Sequence, residues 1–426
     1  MSNIFGTKLD PYAEIKTMMA MKGKKQRVKV GHVPSMINQN EDLYVDISNM
    51  GQNDVIFPSS IKLLFYLELT GTNTKRTIVS NIGKSLVQNL RITLKDNEVQ
   101  NISAYRVLAT YKDLWLPKFD RENNLILEGI NPNDGTIRAL QVKATDHVGT
   151  DEEKAIVAAY GSTFCIPIGK MFELTRDLPF YQPGLHDRLQ FVIHFASYGD
   201  VIKDAGTPAV GSTAAKPADS AYKITNIALE FDKVNNEALA SAMMSRYSRL
   251  ALPYERVLRS KVVTIKKADT SYNLQIDTPA KSLKGVLLLF VDPGKVKAYS
   301  GANEVFYNPK IEKISITVEG EPNELYTHAM LPKDHLEQIV NLFGSHDSKV
   351  IGQFFTERYA LFVDFRASPD HSLHGSGRPL QRVSDGITLH MTKKADGTTG
   401  DIKCYVFLLQ DAQLNILDGC FHSVEY

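Results

Sequence analysis

Residues 90–97 read Leu-Arg-Ile-Thr-Leu-Lys-Asp-Asn, and residues 314–321 read Ile-Ser-Ile-Thr-Val-Glu-Gly-Glu. Each stretch alternates apolar and polar residues and then enters a turn, which is typical of a strand with one buried face. A helical spacing of apolar residues follows each stretch. The two stretches lie in opposite halves of a chain of 426 residues. This repeat predicts two copies of one β-rich domain.

A second similarity connects the ends of the two halves. Ala228-Leu-Glu-Phe-Asp-Lys-Val roughly matches Phe407-Leu-Leu-Gln-Asp-Ala-Gln-Leu. Asp232 and Asp411 occupy the same place in the two apolar runs, which supports the duplication.

Length, charge and cysteine content exclude several classes of protein. The net charge of +1 argues against a globally basic nucleic-acid binder. Three scattered cysteines are too few for a disulfide framework, so we expect synthesis in a reducing host compartment. We expect no secretory signal and no membrane span, because no apolar run approaches the roughly 18 residues that a span needs.

The order of strand-like and helix-like segments predicts an all-β fold with four segments. These are a basic N-terminal arm (1–31), a first sandwich (32–233), a helical linker (234–253) and a second sandwich (254–426). Short strands, long loops and one short helix per half favour β-sandwiches over a parallel α/β fold. Wide loops favour jelly rolls over immunoglobulin-like domains. The predicted fold is two tandem jelly-roll β-sandwiches joined by a helical linker, with a few short helices.

The N-terminal arm is the only strongly basic segment. Its candidate contact residues are Lys22, Lys24, Lys25, Arg27 and Lys29. They could bind an anionic surface, but a solvated, disordered terminus explains the same composition.

Two patterns resemble binding sites and fail on spacing. Gly83-Lys84-Ser85 ends like a phosphate-binding loop, but Ile78 stands where that loop needs a glycine. Asp370, His371 and His374 offer metal-ligand chemistry, but Pro369 and Gly375 around them favour a polar loop over a helix face.

The remaining candidates for nucleophilic chemistry also favour structural roles. His186-Asp187-Arg188 precedes a strand without a nucleophile elbow, so we expect ion pairs and hydrogen bonds at the start of that strand. Cys165 and Cys404 lie in apolar runs and are expected to be buried thiols. We therefore predict no catalytic residue, no cofactor and no metal site, and a structural or binding protein rather than an enzyme.

Six segments together resemble a known family of structural proteins. They are Gln39-Asn-Glu-Asp-Leu-Tyr-Val-Asp-Ile, Phe164-Cys-Ile-Pro-Ile, Leu178-Pro-Phe-Tyr-Gln-Pro-Gly-Leu-His-Asp-Arg-Leu-Gln-Phe, Phe306-Tyr-Asn-Pro-Lys-Ile, Leu373-His-Gly-Ser-Gly-Arg-Pro-Leu and Asp411-Ala-Gln-Leu-Asn-Ile-Leu-Asp-Gly. The resemblance, over residues 35–426, is to the double jelly-roll major capsid proteins of icosahedral DNA viruses. It is strongest to the Polinton- and adintovirus-like group, and more distant to virophage, adenovirus and tailless-phage capsid proteins.

The resemblance implies a function and a set of partners. Three chains would form a homotrimer with a pseudo-hexagonal outline, and these capsomers would tile an icosahedral shell in the virion. Neighbouring capsomers and penton or minor capsid proteins would be partners, with the basic arm facing inward towards the genome or an inner membrane. Residues 118–160, 199–221 and 366–385 would supply towers or contacts between subunits.

Two alternatives stay open at this point. One is a tandem β-sandwich protein that binds or acts on carbohydrates, and the other is a minor capsid or spike protein. The first would need clustered aromatic side chains and paired carboxylates on a concave strand face.

Overall fold

The structure is a computed structural model. It describes residues 6–7, 24–30, 34–47, 50–71, 76–79, 81–116, 128, 151–152, 163–171, 182–204, 221–294, 305–318, 321–322, 328–344, 352–367, 373–380, 386–395 and 400–426. Antiparallel strands dominate these residues, as the all-β prediction required.

Among the described residues of the first half, the structure has twelve strands and four short helices. The strands are β1 (Gly6–Thr7), β2 (Lys24–Val30), β3 (Met36–Asn38), β4 (Asp42–Asp46), β5 (Asp54–Thr70), β6 (Arg76–Ile78), β7 (Val87–Leu94), β8 (Asn97–Ser103), β9 (Thr163–Ile166), β10 (Leu189–Phe195), β11 (Ile202–Asp204) and β12 (Ala221–Asn235). The helices are α1 (Ile82–Ser85), α2 (Tyr105–Leu114), α3 (Ile168–Met171) and α4 (Tyr198–Val201), with a 3₁₀ turn at Gln182–Gly184.

In the second half, a helix near the midpoint of the chain precedes the first strand. The helices are α5 (Glu237–Tyr247), α6 (Pro332–Phe343) and α7 (Phe354–Glu357). The strands are β13 (Arg249–Lys266), β14 (Ser271–Ile276), β15 (Ala280–Val291), β16 (Ile311–Val318), β17 (Glu321–Pro322), β18 (Ala360–Asp364), β19 (Leu373–His374), β20 (Arg378–Leu380), β21 (Ile387–Lys393), β22 (Asp401–Leu417) and β23 (Cys420–Glu425).

The two halves share one strand topology. In the first half one sheet has the order β2-β12-β5-β9 and the other β4-β10-β7-β8. In the second half the orders are β13-β22-β15-β18 and β14-β21-β16-β17. Eight strands of each half lie on these two paths, and β3, β20 and β23 pair beside them; counted in chain order, the eight read 1-8-3-6 and 2-7-4-5 in both halves. Two four-stranded antiparallel sheets connected in this way form a jelly roll, so the duplication and the tandem jelly rolls are confirmed.

The strand register extends this equivalence to single residues. The repeated stretches fall on β7 and β16, which hold the same place in their sheets. Ser60 accepts a hydrogen bond from the backbone of Asp232 at 2.8 Å, and Ser282 donates one to the carboxylate of Asp411 at 2.5 Å. Both aspartates lie on the eighth strand of their unit and both serines on the third, so the predicted match of Asp232 with Asp411 is correct.

Local sequence explains the hairpin and the helix that follow the repeated strands. Lys95 and Asp96 both have positive φ, at 52° and 63°, which is the two-residue turn that suits twisted antiparallel strands. At α6, Pro332 occupies the first helical turn and Asp334 accepts the backbone N–H of Leu331 at 2.8 Å. A proline and an acidic residue both favour a helix start.

The predicted helical linker is too long at its C-terminal end. The helix ends at Tyr247, and β13 already begins at Arg249. Pro253, which was expected to stop the helix, lies inside β13 instead. Because β13 is the edge of its sheet, a proline there is tolerated.

The predicted boundary of the N-terminal arm also needs correction. Lys24–Val30 is the first strand of the first jelly roll and pairs antiparallel with β12. The many basic residues of this segment obscured the alternation of Val28 and Val30 with polar residues, which is typical of a strand. In the strand register, Val28 and Val30 stand opposite Phe231 and Leu229. Lysine-rich edge strands are a common protection against edge-to-edge aggregation. Lys22 lies outside the described residues.

The core follows the alternation of the strands. In β7, Leu90 and Ile92 are fully buried, and in the equivalent β16 Ile314 and Ile316 are buried. The central strand β15 is buried along nearly all its length, which is why its apolar residues run continuously rather than alternating.

Candidate functional site

Polar and aromatic contacts among the described residues join the first jelly roll to the second. They form three patches, which we call the clasp, the strand contact and the aromatic contact. Each pairs a segment before residue 200 with one after residue 245, so each fixes the position of one unit against the other.

The clasp joins residues 182–188 to the turn between β22 and β23. The backbone N–H of His186 donates to the carbonyl of Gly419 at 2.9 Å, and Asp187 accepts the N–H of Phe421 at 2.5 Å. Gly419 has φ of 74°, and a Cβ there would lie 2.4 Å from the carbonyl oxygen of Gly184. Only glycine fits this turn between the two units. The turn also contacts the end of α5, because the backbone N–H of Gly419 donates to the backbone carbonyl of Tyr247.

The predicted ion pairs of the His186-Asp187-Arg188 segment are present within the first unit, beside the clasp. Lys95 lies 3.7 Å from Asp187, and Arg188 forms an ion pair with Asp46. The segment therefore has the structural role that its sequence predicted, and it adds a contact to the second half.

The strand contact brings β8 of the first unit against β13 of the second. The hydroxyl of Tyr254 donates to the carbonyl of Val99 at 2.7 Å in a buried position. Arg256 lies 3.5 Å from Glu98, and its guanidinium stacks on the Tyr426 ring at 3.9 Å. Burial, with the acidic Glu98 nearby, raises the pKa of Tyr254, so this hydroxyl keeps its proton and its hydrogen bond at physiological pH.

The aromatic contact links α2 to α6 and to the residues just before β16 and β18 in the second unit. Tyr111 packs edge-on against Phe306 at 4.8 Å and against Phe343 at 5.7 Å between ring centroids. Trp115, the only tryptophan of the chain, stacks on Phe343 at 6.0 Å. The Tyr111 hydroxyl also donates to the carbonyl of Arg358 at 3.3 Å. Aromatic pairs of this kind add stability beyond the area that they bury.

A buried ion cluster surrounds Lys84, the lysine of the Gly83-Lys84-Ser85 sequence that resembles the end of a phosphate-binding loop. Lys84 lies 2.8 Å from Asp113 and 3.4 Å from Glu128, and Asn81 donates to Asp113. Burial acts to lower the pKa of Lys84, but its ion pairs outweigh burial and raise that pKa. Burial raises the pKa of Glu128. The ammonium that a nucleotide would need is therefore already neutralised by carboxylates.

A second buried cluster orders the loop around Gly375 in the second unit. Asp411 accepts hydrogen bonds from Ser282 at 2.5 Å and from the N–H of Gly375 at 2.8 Å, with Lys284 at 3.3 Å. Gly377 N–H donates to Ser282 at 3.0 Å. Asp370 and His371 lie outside the described residues, so the structure does not place the predicted polar cluster as a whole.

The other candidates agree with a non-catalytic interpretation. Cys165 and Cys404 are buried, as predicted. Burial raises the pKa of Cys165 to about 12 and also raises that of Cys404, which disfavours the reactive thiolate. Among the residues that the structure describes, no group of three or more His, Cys, Asp or Glu could hold a metal ion, and none of the helices is long and apolar enough to cross a membrane.

Sequence reasoning missed the contact between the two units. Two signals pointed to it. The segments containing Gln182-Pro-Gly-Leu-His-Asp-Arg and Ile416-Leu-Asp-Gly were both among those that carried the resemblance, and the structure brings them together in the clasp. Neither segment by itself indicates that the other is its partner.

Comparisons with known proteins agree on the fold. No protein-family profile and no curated protein sequence matches the chain. Among solved structures, PBCV-1 Vp54 fitted into a reconstruction of the virophage Sputnik has a TM-score of 0.62 at 14% identity, covering 97% of this chain and 100% of that chain. The Faustovirus major capsid protein has a TM-score of 0.59 at 8% identity, with 94% and 91% covered. A chain of the Sputnik virophage has a TM-score of 0.56 at 10% identity, with 95% and 89% covered.

These likenesses extend over nearly the whole chain and both jelly rolls. The chain therefore has the double jelly-roll fold of these viral proteins. At this level of identity the comparison establishes the fold, and function is argued from the contacts described above.

Proposed function

We propose that the protein is a major capsid protein whose homotrimers form pseudo-hexagonal capsomers of an icosahedral shell. The observation that carries the proposal is the presence of two equivalent jelly rolls in one chain, held in direct contact by the clasp, the strand contact and the aromatic contact. Three such chains present six similar units, which is the number that a hexagonal tile needs. The fold that the chain shares with a major capsid protein supports the same conclusion.

The role is structural rather than enzymatic. The titratable groups with strongly shifted pKa values include buried tyrosines such as Tyr111, the buried thiol of Cys165, His335 and the ion-paired Lys84, and burial makes the thiol unreactive. Perturbed groups at an active site would instead surround a cavity open to substrate.

The carbohydrate-binding alternative is not favoured. It needs exposed aromatic residues clustered on one strand face, whereas many aromatic side chains, such as Tyr198, Phe191 and Phe231, are buried in the core, and the exposed Tyr44 and Tyr66 lie on strands of different sheets. A minor capsid or spike protein of the same fold differs from the main proposal in its oligomer and copy number, which the following experiment measures.

The experiment is a mass measurement on the purified protein together with negative-stain imaging. We expect a particle of three 47.6-kDa chains with a hexagonal outline. A stable monomer that binds glycans would refute the proposal and favour the carbohydrate alternative. Oligomers without a hexagonal outline would favour the minor capsid or spike protein.

Finer parts of the proposal concern partners and location. The capsid role implies a virion location and two kinds of partner, which are neighbouring capsomers and penton or minor capsid proteins. Production in a reducing compartment rests on the three scattered cysteines and stays a prediction. The closer relation to Polinton- and adintovirus-like capsids stays a prediction.

The inward contact of the basic residues also stays a prediction. Deleting residues 1–23 removes Lys22 and leaves β2 intact. If the segment binds the genome or an inner membrane, the truncated chain forms trimers but assembles fewer shells. Shells of normal size and yield from the truncated chain would contradict an inward contact made through residues 1–23.

A further inference from the structure

The buried ion cluster around Lys84 brings together the groups that an amide bond between two side chains requires. The Lys84 nitrogen Nζ lies 2.8 Å from Oδ1 of Asp113 and 3.4 Å from Oε2 of Glu128. The side chains of Lys84, Asp113 and Glu128 are only 15, 11 and 6% exposed. A nitrogen nucleophile, a carboxyl group that it can attack and a second carboxyl group therefore meet away from bulk water.

Local structure holds each member of the cluster in place. Lys84 lies on α1 and Asp113 near the end of α2. The backbone N–H of Gly83 donates to the carbonyl of Glu128 at 2.8 Å, which anchors Glu128 beside α1. Asn81 precedes α1 with φ of 53°, and its side-chain amide donates to Oδ2 of Asp113. The two oxygens of the Asp113 carboxyl group are therefore distinguished, since Oδ1 faces Lys84 and Oδ2 faces the amide of Asn81.

The charges of the cluster favour a neutral Glu128. If all three groups were ionised, one buried ammonium would face two buried carboxylates. Burial raises the pKa of Glu128, and a protonated carboxyl group can donate a proton from one oxygen and accept another at the second. Lys84 and Asp113 remain as an ion pair. Because burial penalises both of their charges, transfer of a proton from the ammonium to Asp113 costs less here than in water.

We propose that Lys84 and Asp113 become joined by an isopeptide bond in the folded chain, with Glu128 transferring protons and Asn81 stabilising the oxyanion. The bond forms once in each chain and no external substrate is turned over. The reaction therefore modifies a structural protein without making it an enzyme, and it does not depend on the capsid proposal.

The step balances without an added reactant. Nζ of Lys84 gives one proton to Oδ1 of Asp113, and the neutral amine then attacks Cγ. The N–C bond forms, and negative charge moves to Oδ2, where the amide of Asn81 donates a hydrogen bond to it. Glu128 takes a second proton from the nitrogen and supplies its own to Oδ1, so the C–O bond breaks and water leaves. One amide and one water replace one amine and one acid, and Glu128 is regenerated.

The bond would fasten α2 to α1 permanently. Lys84 and Asp113 are 29 residues apart, so the bond closes a loop within the first jelly roll. The same α2 carries Tyr111, whose ring packs against Phe306 and Phe343 of the second unit. An ion pair separates when the chain unfolds, whereas an amide persists, so the bond would limit how far α2 moves from its place at the contact between the units.

Mass spectrometry of the purified, denatured full chain tests the bond directly. We expect a mass about 18 Da below that of the 47.6-kDa sequence, which is the loss of one water. Trypsin does not cut after an acylated lysine, so the digest should contain residues 77–91 joined to residues 113–118. The second peptide carries Trp115, which makes the branched product visible by its absorbance. A wild-type chain that keeps its full mass after prolonged incubation would show an ion pair only and overturn the bond.

Two variants separate the roles within the cluster. Lys84→Arg keeps the positive charge but removes the nucleophile, because a guanidinium is not deprotonated in proteins. It should therefore have the full mass. In Glu128→Gln the bond should form at least about a hundredfold more slowly, as followed by mass at intervals after cell-free synthesis. A mass deficit retained in Lys84→Arg would overturn the bond, and an unchanged rate in Glu128→Gln would overturn the role of Glu128.

The ion pair between Lys233 and Asp54 provides the matched control. Its atoms are 2.7 Å apart, and its side chains are 18 and 4% exposed. Among the ion pairs of the described residues, Lys233 has this one carboxylate partner, so it lacks a counterpart of Glu128. Lys233→Arg should keep the mass deficit, and the wild-type digest should contain no peptide that joins Lys233 to Asp54. Such a peptide would show that close burial alone is sufficient, and would overturn the need for Glu128.

Discussion

Replacing Gly419 with alanine should loosen the clasp between the two jelly rolls. The backbone at Gly419 has φ of 74°, and a Cβ built there lies 2.4 Å from the carbonyl oxygen of Gly184 and 3.0 Å from the His186 ring. Neither the turn nor the facing backbone can keep its position with that atom present. We therefore expect Gly419→Ala to act on the contact between the units rather than on either core.

The magnitude has two parts. An alanine in left-handed backbone costs about 1–2 kcal/mol. Moving the turn away also weakens the hydrogen bond from His186 to the Gly419 carbonyl and the bond from Phe421 to the Asp187 carboxylate. A neutral hydrogen bond contributes about 1 kcal/mol and one to a charged group about 1.5–3 kcal/mol. The expected loss is therefore about 4 kcal/mol in the free energy of unfolding.

Trp115 provides the assay, because the only tryptophan lies in the aromatic contact between the same two units. We expect Gly419→Ala to move the urea transition of Trp115 fluorescence to lower denaturant. Gly400→Ala is the control: its φ is also positive, at 134°, but the nearest atoms belong to the Lys267 side chain, at 3.7 Å and beyond. Equal shifts for the two variants would refute the argument, because backbone strain alone would then explain both.

Three further predictions concern a buried histidine and the other two contacts. Burial lowers the pKa of His335 from 6.5 to about 4, so as the pH falls the unfolded chain binds this proton before the folded chain does. The folded state therefore loses about 3 kcal/mol of stability between pH 6.5 and pH 4 and keeps it above pH 6.5. His335→Phe should remove this acid sensitivity, as measured by calorimetry. Tyr254→Phe should cost about 1–2 kcal/mol by leaving the Val99 carbonyl without its buried donor, measured by urea unfolding. Phe343→Ala should cost about 2–4 kcal/mol and shift Trp115 emission to the red.

Each of these variants has a control within the chain. His390→Gln changes a partly exposed histidine and should keep the acid sensitivity. Tyr222→Phe removes a comparable buried hydrogen bond inside the first unit, so it should not alter the contact between units. Phe355→Ala changes a more exposed ring and should leave Trp115 emission in place. An unchanged acid profile for His335→Phe, or equal red shifts for the two phenylalanine variants, would contradict the reasoning.

Strand periodicity made the fold predictable, and strong local composition caused the two boundary errors. Leu90 and Ile92 alternate with polar residues and lie in the core, as expected. The basic residues of β2 concealed the shorter alternation of Val28 and Val30. A proline usually ends a helix, which is why Pro253 was expected to do so. At a sheet edge, however, a proline can lie within a strand, because its missing N–H needs no partner there.

One further signal for the duplication was present in the sequence. Ser60-Ile-Lys and Ser282-Leu-Lys occupy equivalent positions in β5 and β15, and each serine bonds the matching aspartate of its unit. These short matches gain meaning only when the strand register aligns them, because three residues recur by chance in a chain of this length.

The amino-acid sequence by itself determined the all-β class, the duplication and the burial of the core side chains, because alternation of apolar residues is a local property of each strand. Only the tertiary structure decided which faces of the two jelly rolls meet. The contacts that join them connect Val99 to Tyr254, Asp187 to Phe421 and Trp115 to Phe343, at separations of more than a hundred residues. No local pattern specifies such pairs, since each depends on the relative position of two completed sandwiches.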